Sequence, residues 1–116
     1  MKISPENEKE YLKLKIGKLT QTMMRYFLKE NFITQSEIEN LQNAGYSKLK
    51  FNANYSLLVK ISNLSEIKTK KIVNGFPRYY VKPYINNNEM YLFTNEWKEF
   101  QRKDFMEWMK SKVKIK

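Results

Sequence analysis

The stretch 46-YSKLKFNANYSLLVKISNLSEIKTKKIVNGFPRYYVK-82 decides the reading of the chain. Up to Ser62 the apolar residues fall at helical spacing. Beyond it they alternate with polar ones, as on a half-buried strand. Helices first and a hairpin afterwards define an α+β chain. The same stretch holds the charge. Residues 47–82 carry eight Lys/Arg against one Asp/Glu, while residues 1–46 carry seven against six and residues 83–116 seven against five. The excess of basic residues, +10 over the whole chain, therefore lies mostly in the middle, interleaved with Phe51, Tyr55, Phe76, Tyr79 and Tyr80. Holding those charges together costs self-repulsion, which a polyanion would relieve.

On the N-terminal side, Ser4 as cap, Pro5 in the first turn and Glu6, Glu8 and Glu10 near the positive end of the dipole predict a helix over residues 4–31. Its apolar face is Leu12, Ile16, Leu19, Met23 and Phe27, with a weak point at Gly17 and Asn31 as the stop. Thr34 with Glu37 has the capping-box spacing, and Ile33 with Ile38 the hydrophobic-staple spacing. A second helix follows, ended by Asn43-Ala44-Gly45. Ser47 to Asn52 reads as a connector. Asn54 then caps a short third helix from Tyr55 to Ser62, with Leu57, Leu58 and Ile61 inward.

On the C-terminal side, Ile67–Val73 reads as a strand and Asn74-Gly75-Phe76-Pro77 as a turn. Residues 78–85 and 90–93 form the arms of a hairpin around Asn86-Asn87-Asn88. Pro83 assigns the first arm to a sheet edge. Thr94 or Asn95 opens a C-terminal helix that runs to residue 112 and carries Trp97, Phe105, Trp108 and Met109, and residues 113–116 fray. The expected domain is single, 1–116: N-terminal helix 1–31, helix-turn-helix plus hairpin 32–93, C-terminal helix 94–112.

A chain of 116 residues with 41% hydrophobic and 15% aromatic content has material for one real core. Without Cys or His, it lacks thiolate nucleophiles, disulfides, the usual proton shuttle and the commonest metal ligand. The opening MKISPENEKE lacks the apolar core of a signal peptide, and the longest aliphatic run is Leu57-Leu58-Val59. The expectation is a cytoplasmic protein with no membrane partner and no cofactor. Nineteen Lys against three Arg, with abundant Asn, Ile and Tyr, is also what an AT-rich genome encodes, and such a bias supplies lysine without function.

Enzymatic chemistry finds little support. Glu66-Ile67-Lys68 and Glu96-Trp97-Lys98 match the Glu-x-Lys of metal-dependent nucleases, but two such triplets are what eleven Glu and nineteen Lys scatter by chance. The single Asp, Asp104, follows both instead of preceding them. The three glycines lie far apart, so no phosphate loop exists, and no Ser has a His to activate it. No catalytic or metal-ligating residue is assigned. Tyr79, Tyr80, Phe76 and Tyr84 form either a stacking platform for single strands or the core face of a hairpin; the core reading is favoured.

The order of helix, capped helix, short basic helix and hairpin with an Asn-rich tip resembles a winged helix-turn-helix over residues 20–93. YSKLKFNANYSLL, RYYVKPY and NEWKEFQRKDFMEWM are similar to accessory domains of phage and restriction-type proteins. The winged-helix resemblance implies a third helix in the major groove and a wing on the backbone. Carried over, Asn52, Asn54, Tyr55, Ser56 and Lys60 face the groove, and Arg78, Lys82 and Asn86 to Asn88 form the wing. Affinity would come from Lys48, Lys50, Lys60, Lys68, Lys70, Lys71, Arg78 and Lys82, with Lys60 and Arg78 both exposed. Two departures stand against it: a connector between the second and third helices longer than a tight turn, and an added C-terminal helix. The implied function is non-catalytic binding of duplex DNA, as a regulator or accessory factor of a phage or mobile element. The alternatives are a protein-interaction or inhibitor module docking on an acidic or nucleoprotein partner, and an RNA or single-strand binder; a homodimer is open.

Overall fold

Helix α1 begins where the backbone turns from an extended Lys15 into Ile16, and it runs Ile16–Lys29. The computed structural model describes residues 13–114, so the expected start at Ser4 lies outside the described residues. A single helix from residue 4 to residue 31 is excluded, because residues 13–15 form a turn and a bend. The C-terminus of α1 closes as the sequence implies. Asn31 takes the left-handed conformation at φ 61°. The Phe32 N–H reaches the Phe27 carbonyl at 2.9 Å and the Asn31 N–H reaches Leu28, the Schellman pattern.

Thr34 caps α2 (Gln35–Leu41), its hydroxyl accepting from the Glu37 N–H at 3.2 Å. The Ile33 and Ile38 side chains flanking the cap are both buried in the main core. Only Gln42 and Asn43 separate α2 from α3 (Ala44–Phe51), since Asn43 caps α3 by accepting from the Tyr46 N–H at 2.8 Å. The expected third helix over residues 55–62 is therefore displaced by a full element, and the connector is tight. Asn52, left-handed at φ 56°, ends α3.

Residues 58–61 form strand β1 (Leu58–Ile61), one edge of a three-stranded antiparallel sheet ordered β1-β5-β4. Leu57, Leu58 and Ile61 are buried as expected, but Leu57 lies just before β1 and Leu58 and Ile61 are strand residues on opposite faces. The pairings Leu58↔Phe93, Lys60↔Tyr91 and Tyr84↔Tyr91 set one face of the sheet, and Val59, Ile61, Met90 and Leu92 lie on the other. A strand buried on both faces does not alternate, and short apolar runs of that kind read equally well as helix.

A 3-10 turn (Leu64–Glu66) leads into the one-turn helix α4 (Ile67–Lys70). The strand expected over residues 67–73 is thus reduced to β2 (Ile72–Val73), which pairs with β3 (Phe76–Pro77). Asn74 and Gly75 between them have φ 53° and 84°, the two positive values of the favoured two-residue hairpin turn. β4 (Tyr84–Asn86) and β5 (Glu89–Phe93) close the same way over Asn87 and Asn88. β4 is an edge strand, with Pro83 just before it. The first arm is shorter than expected. Residues 78–83 join the sheet only through the bridge between Tyr79 and Thr94.

After β5, Thr94 is buried and bonds the Arg78 carbonyl, so it caps no helix. A 3-10 turn (Glu99–Gln101) precedes α5 (Arg102–Lys112), which replaces the helix expected from residue 94. The tail is held as far as it is described: the Lys114 N–H donates to the Phe32 carbonyl at 2.8 Å.

Helices α1, α2, α3 and α5 cover one face of the sheet. Phe51, Phe105 and Trp108 interlock there with Phe27, Trp97 and Phe93, ring centroids 5.3 to 6.5 Å apart. Trp97 and Trp108 are packing residues, as read. Glu37 turns inward instead of closing a reciprocal capping box. It is 3% exposed, accepts from Trp108 Nε1 at 2.7 Å and Asn40 Nδ2 at 3.1 Å, and binds the Tyr46 hydroxyl. The segment 62–79 covers the other face through a second, smaller core of Ile61, Tyr79 and Leu92.

Candidate nucleic-acid interface

Turn chemistry places the basic residues. Because Asn43 starts α3 and Asn52 ends it, Lys48 and Lys50 fall on that helix, both exposed, with Leu49 79% exposed between them. Lys50 Nζ lies 5.9 Å over the Tyr46 ring. Lys48 Nζ donates to Asn54 Oδ1 at 3.4 Å, so Asn54 orients a lysine and caps nothing. Asn52 gives its carbonyl to Gln101 Nε2 at 3.3 Å, which ties the end of α3 to the 3-10 turn before α5.

Asn54, Tyr55 and Ser56 form the loop into β1. They line a cavity of about 370 Å³ together with Ala44 of α3, Val59 of β1, Thr69 and Lys70 of α4, and Ile72 and Val73 of β2. The start of α3 and the α4 turn are thereby neighbours across one concavity, and Lys68, Lys70 and Lys71 continue the basic surface along α4. Ser56 Oγ shares a hydrogen bond with the Tyr79 hydroxyl at 2.9 Å, and burial pushes the Tyr79 phenol up from its usual range.

Three residues of the expected site do not join it as free cations. Lys60 sits on β1, not on a helix, and pairs with Glu89 at 3.2 Å, a cross-strand contact. Arg78 was expected to be exposed and is half-buried instead. Its guanidinium pairs with Glu96 and lies 5.3 Å from the Tyr55 ring and 5.1 Å from the Phe76 ring. The hydrogen bond to Glu96 holds Arg78 above the ordinary guanidinium value, so this residue fastens the small hairpin to the body. Lys82 lines a different concavity, beside α1. Asn86, read as part of the wing, is buried, with Nδ2 donating to the Leu28 carbonyl at 2.9 Å.

The aromatic platform resolves mostly into core. Tyr79 and Tyr84 are buried and Tyr80 stacks on Phe93 at 6.4 Å, leaving Phe76, 60% exposed, as the one accessible ring of that group. Among the described residues, ion pairs occupy Lys60, Arg78 and Arg102, and no carboxylate pairs with Lys48, Lys50, Lys68, Lys70 or Lys71. Sequence reasoning missed Lys18, Arg25 and Lys29 of α1, whose spacing of seven and four residues sets them on one helix face. No helix among the described residues is long and apolar enough to cross a membrane. Comparison with protein-family models, curated proteins and solved structures finds no match to this chain.

Proposed function

We propose that the chain is a non-catalytic nucleic-acid-binding protein, with duplex DNA the favoured ligand. Its contact face is the surface of α3 and α4: Lys48, Lys50, Lys68, Lys70 and Lys71, with Asn54, Tyr55 and Ser56 between the two helices. The observation that carries this reading is the pairing pattern. Among the described residues, Glu89, Glu96 and Glu99 pair with Lys60, Arg78 and Arg102, and these five lysines pair with no carboxylate, on the two helices that meet at a concavity lined by Lys70. Unpaired cations on one surface match a phosphate backbone, whose counterions they release on binding. The two-residue connector between α2 and α3 also supports a helix-turn-helix-like presentation of α3, with Lys48, Leu49 and Lys50 outward. Action as a regulator or accessory factor of a mobile element belongs to the same proposal.

Mobility-shift titration of duplex DNA with the chain and with its K48Q/K68Q/K70Q/K71Q variant tests it. Weaker binding by the variant at unchanged thermal stability is the expected result. Equal affinities would remove this face from consideration.

A further inference from the structure

A strongly basic concavity lies away from the α3–α4 face. It measures about 510 Å³ and is formed by one side of α1 and the loop before β4. α1 contributes Lys18, Thr22, Arg25 and Lys29 at steps of four, three and four, a single stripe along the helix. Lys82 faces them from the loop, and Glu30 is the only carboxylate in the lining. Arg25 is fixed in place. Its guanidinium lies 3.9 Å over the Tyr84 ring and donates to the Pro83 carbonyl at 3.3 Å, so a cation is preorganised in the middle of the stripe. No ion pair among the described residues involves Lys18, Arg25, Lys29 or Lys82.

Length selects the ligand class. Lys18 to Lys29 spans eleven residues of helix, roughly 16 Å at 1.5 Å per residue. At about 3.4 Å per phosphate of a strand, that is the reach of roughly five nucleotides. A single phosphate would leave most of the stripe unused. Position selects the consequence. The groove adjoins β4 at one edge of the sheet, whereas α4 packs against β1 at the other.

We infer that the α1 groove is a second track for a phosphodiester backbone, so that one chain holds two nucleic-acid segments at opposite edges of its sheet. The ligand class is shared with the reading above, but apart from the connection through the same fold the residues are separate.

Energy transfer between two differently labelled short duplexes tests the bridge, with salt-dependent anisotropy run alongside. The chain is expected to bring the two labels together. K18Q/K29Q/K82Q is expected to abolish transfer, keep binding of one duplex, and lower the steepness of the log affinity–log salt slope for the groove by about 2.7, at 0.9 per lost phosphate contact. All three lysines are exposed, so circular dichroism melts should match the parent. T22R, which adds a cation to the stripe, is expected to strengthen transfer and guards against a variant that merely misfolds. Undiminished transfer with K18Q/K29Q/K82Q overturns the inference. So does tripolyphosphate competing as well as an oligonucleotide at equal phosphate, since a compact anion site would then suffice. If instead K48Q/K68Q/K70Q/K71Q binds normally while K18Q/K29Q/K82Q does not bind, the groove stands as the binding track and the α3–α4 reading falls.

Discussion

The two faces of the central sheet are built differently. Against one face, α1, α2, α3 and α5 bury a continuous core that includes Phe27, Phe51, Phe93, Phe105 and Trp108. Against the other, the segment 62–79 buries only Ile61, Tyr79 and Leu92 fully, with Tyr55, Val59, Ile67, Val73 and Met90 half-buried around them. The thick side is held by interlocked aromatic packing. The thin side is held by one turn with left-handed residues, a two-residue strand pair and the stacked, ion-paired Arg78. Lys68, Lys70 and Lys71 lie on the thin side. Like charges resist close packing, so a surface that gathers them is also one where little apolar area is buried. Regions with few buried contacts open first, and binding surfaces are drawn from them.

The comparison is broken most forcefully from the thick side. Trp108→Ala removes a ring that touches Phe27, Phe51 and Phe105 and donates to Glu37, and should cost roughly 3–5 kcal/mol, read from chemical denaturation. Glu37→Ala leaves the Trp108 and Tyr46 donors without their acceptor and should cost about 2–3 kcal/mol, with Glu37→Gln milder. A loss under about 1 kcal/mol in either would mean that the helical side does not carry the stability assigned to it.

Arg78→Ala sharpens the contrast from the other side. It should lower Tm by no more than a few °C while amide protection falls selectively in residues 62–79, monitored by hydrogen exchange. This differs from the expectation for an exposed Arg78, whose removal would weaken binding and leave stability alone. Uniform loss of protection over the whole sheet would show that the two sides unfold as one.

The smallest effect is alkaline. Burial first, and the hydrogen bond to Glu37 second, hold the Tyr46 phenol above its ordinary value near 10. A folded-state value raised above the unfolded one contributes stability that is complete below pH 10 and is lost as pH rises from there. Tyr46→Phe should be slightly less stable at neutral pH, by about 1 kcal/mol for the lost hydrogen bond, yet lose less between pH 9 and pH 11 than the parent. Equal alkaline losses in the two proteins would place the sensitivity at the other buried tyrosines.

What the sequence made legible was local chemistry with a single reading. Thr34 capping α2, the Ile33–Ile38 pair, Asn31 after α1, the Asn74-Gly75 turn and the Asn-rich hairpin tip all hold at their positions. The misreadings came where one residue type serves two purposes. Asn43-Ala44-Gly45 looks like a helix stop, yet Asn43 is a start, because its side chain accepts from Tyr46 and one glycine in the first turn is tolerated. Asn54 looks like a cap and instead orients Lys48. Leu57-Leu58-Val59-Lys60-Ile61 fits a helix face as well as a strand buried on two sides, and only the pairing with residues 90–93 decides. For the candidate site, the charge excess was visible and the pairing was not. Glu89 and Glu96 reach Lys60 and Arg78 through the fold, and Lys82 joins α1 across it.

The central claim is that the unpaired lysines of α3 and α4 meet a phosphate backbone. The measurement that addresses it most directly is fluorescence anisotropy of a labelled duplex titrated at several salt concentrations, with the parent chain and K48Q/K68Q/K70Q/K71Q, the α1 groove being neutralised in both by K18Q/K29Q/K82Q. Five contacts predict a slope of log affinity against log salt near −4.5 for the first protein, falling to about −1 in the variant that keeps Lys50 alone. No binding at low salt, or two identical slopes, would contradict the account.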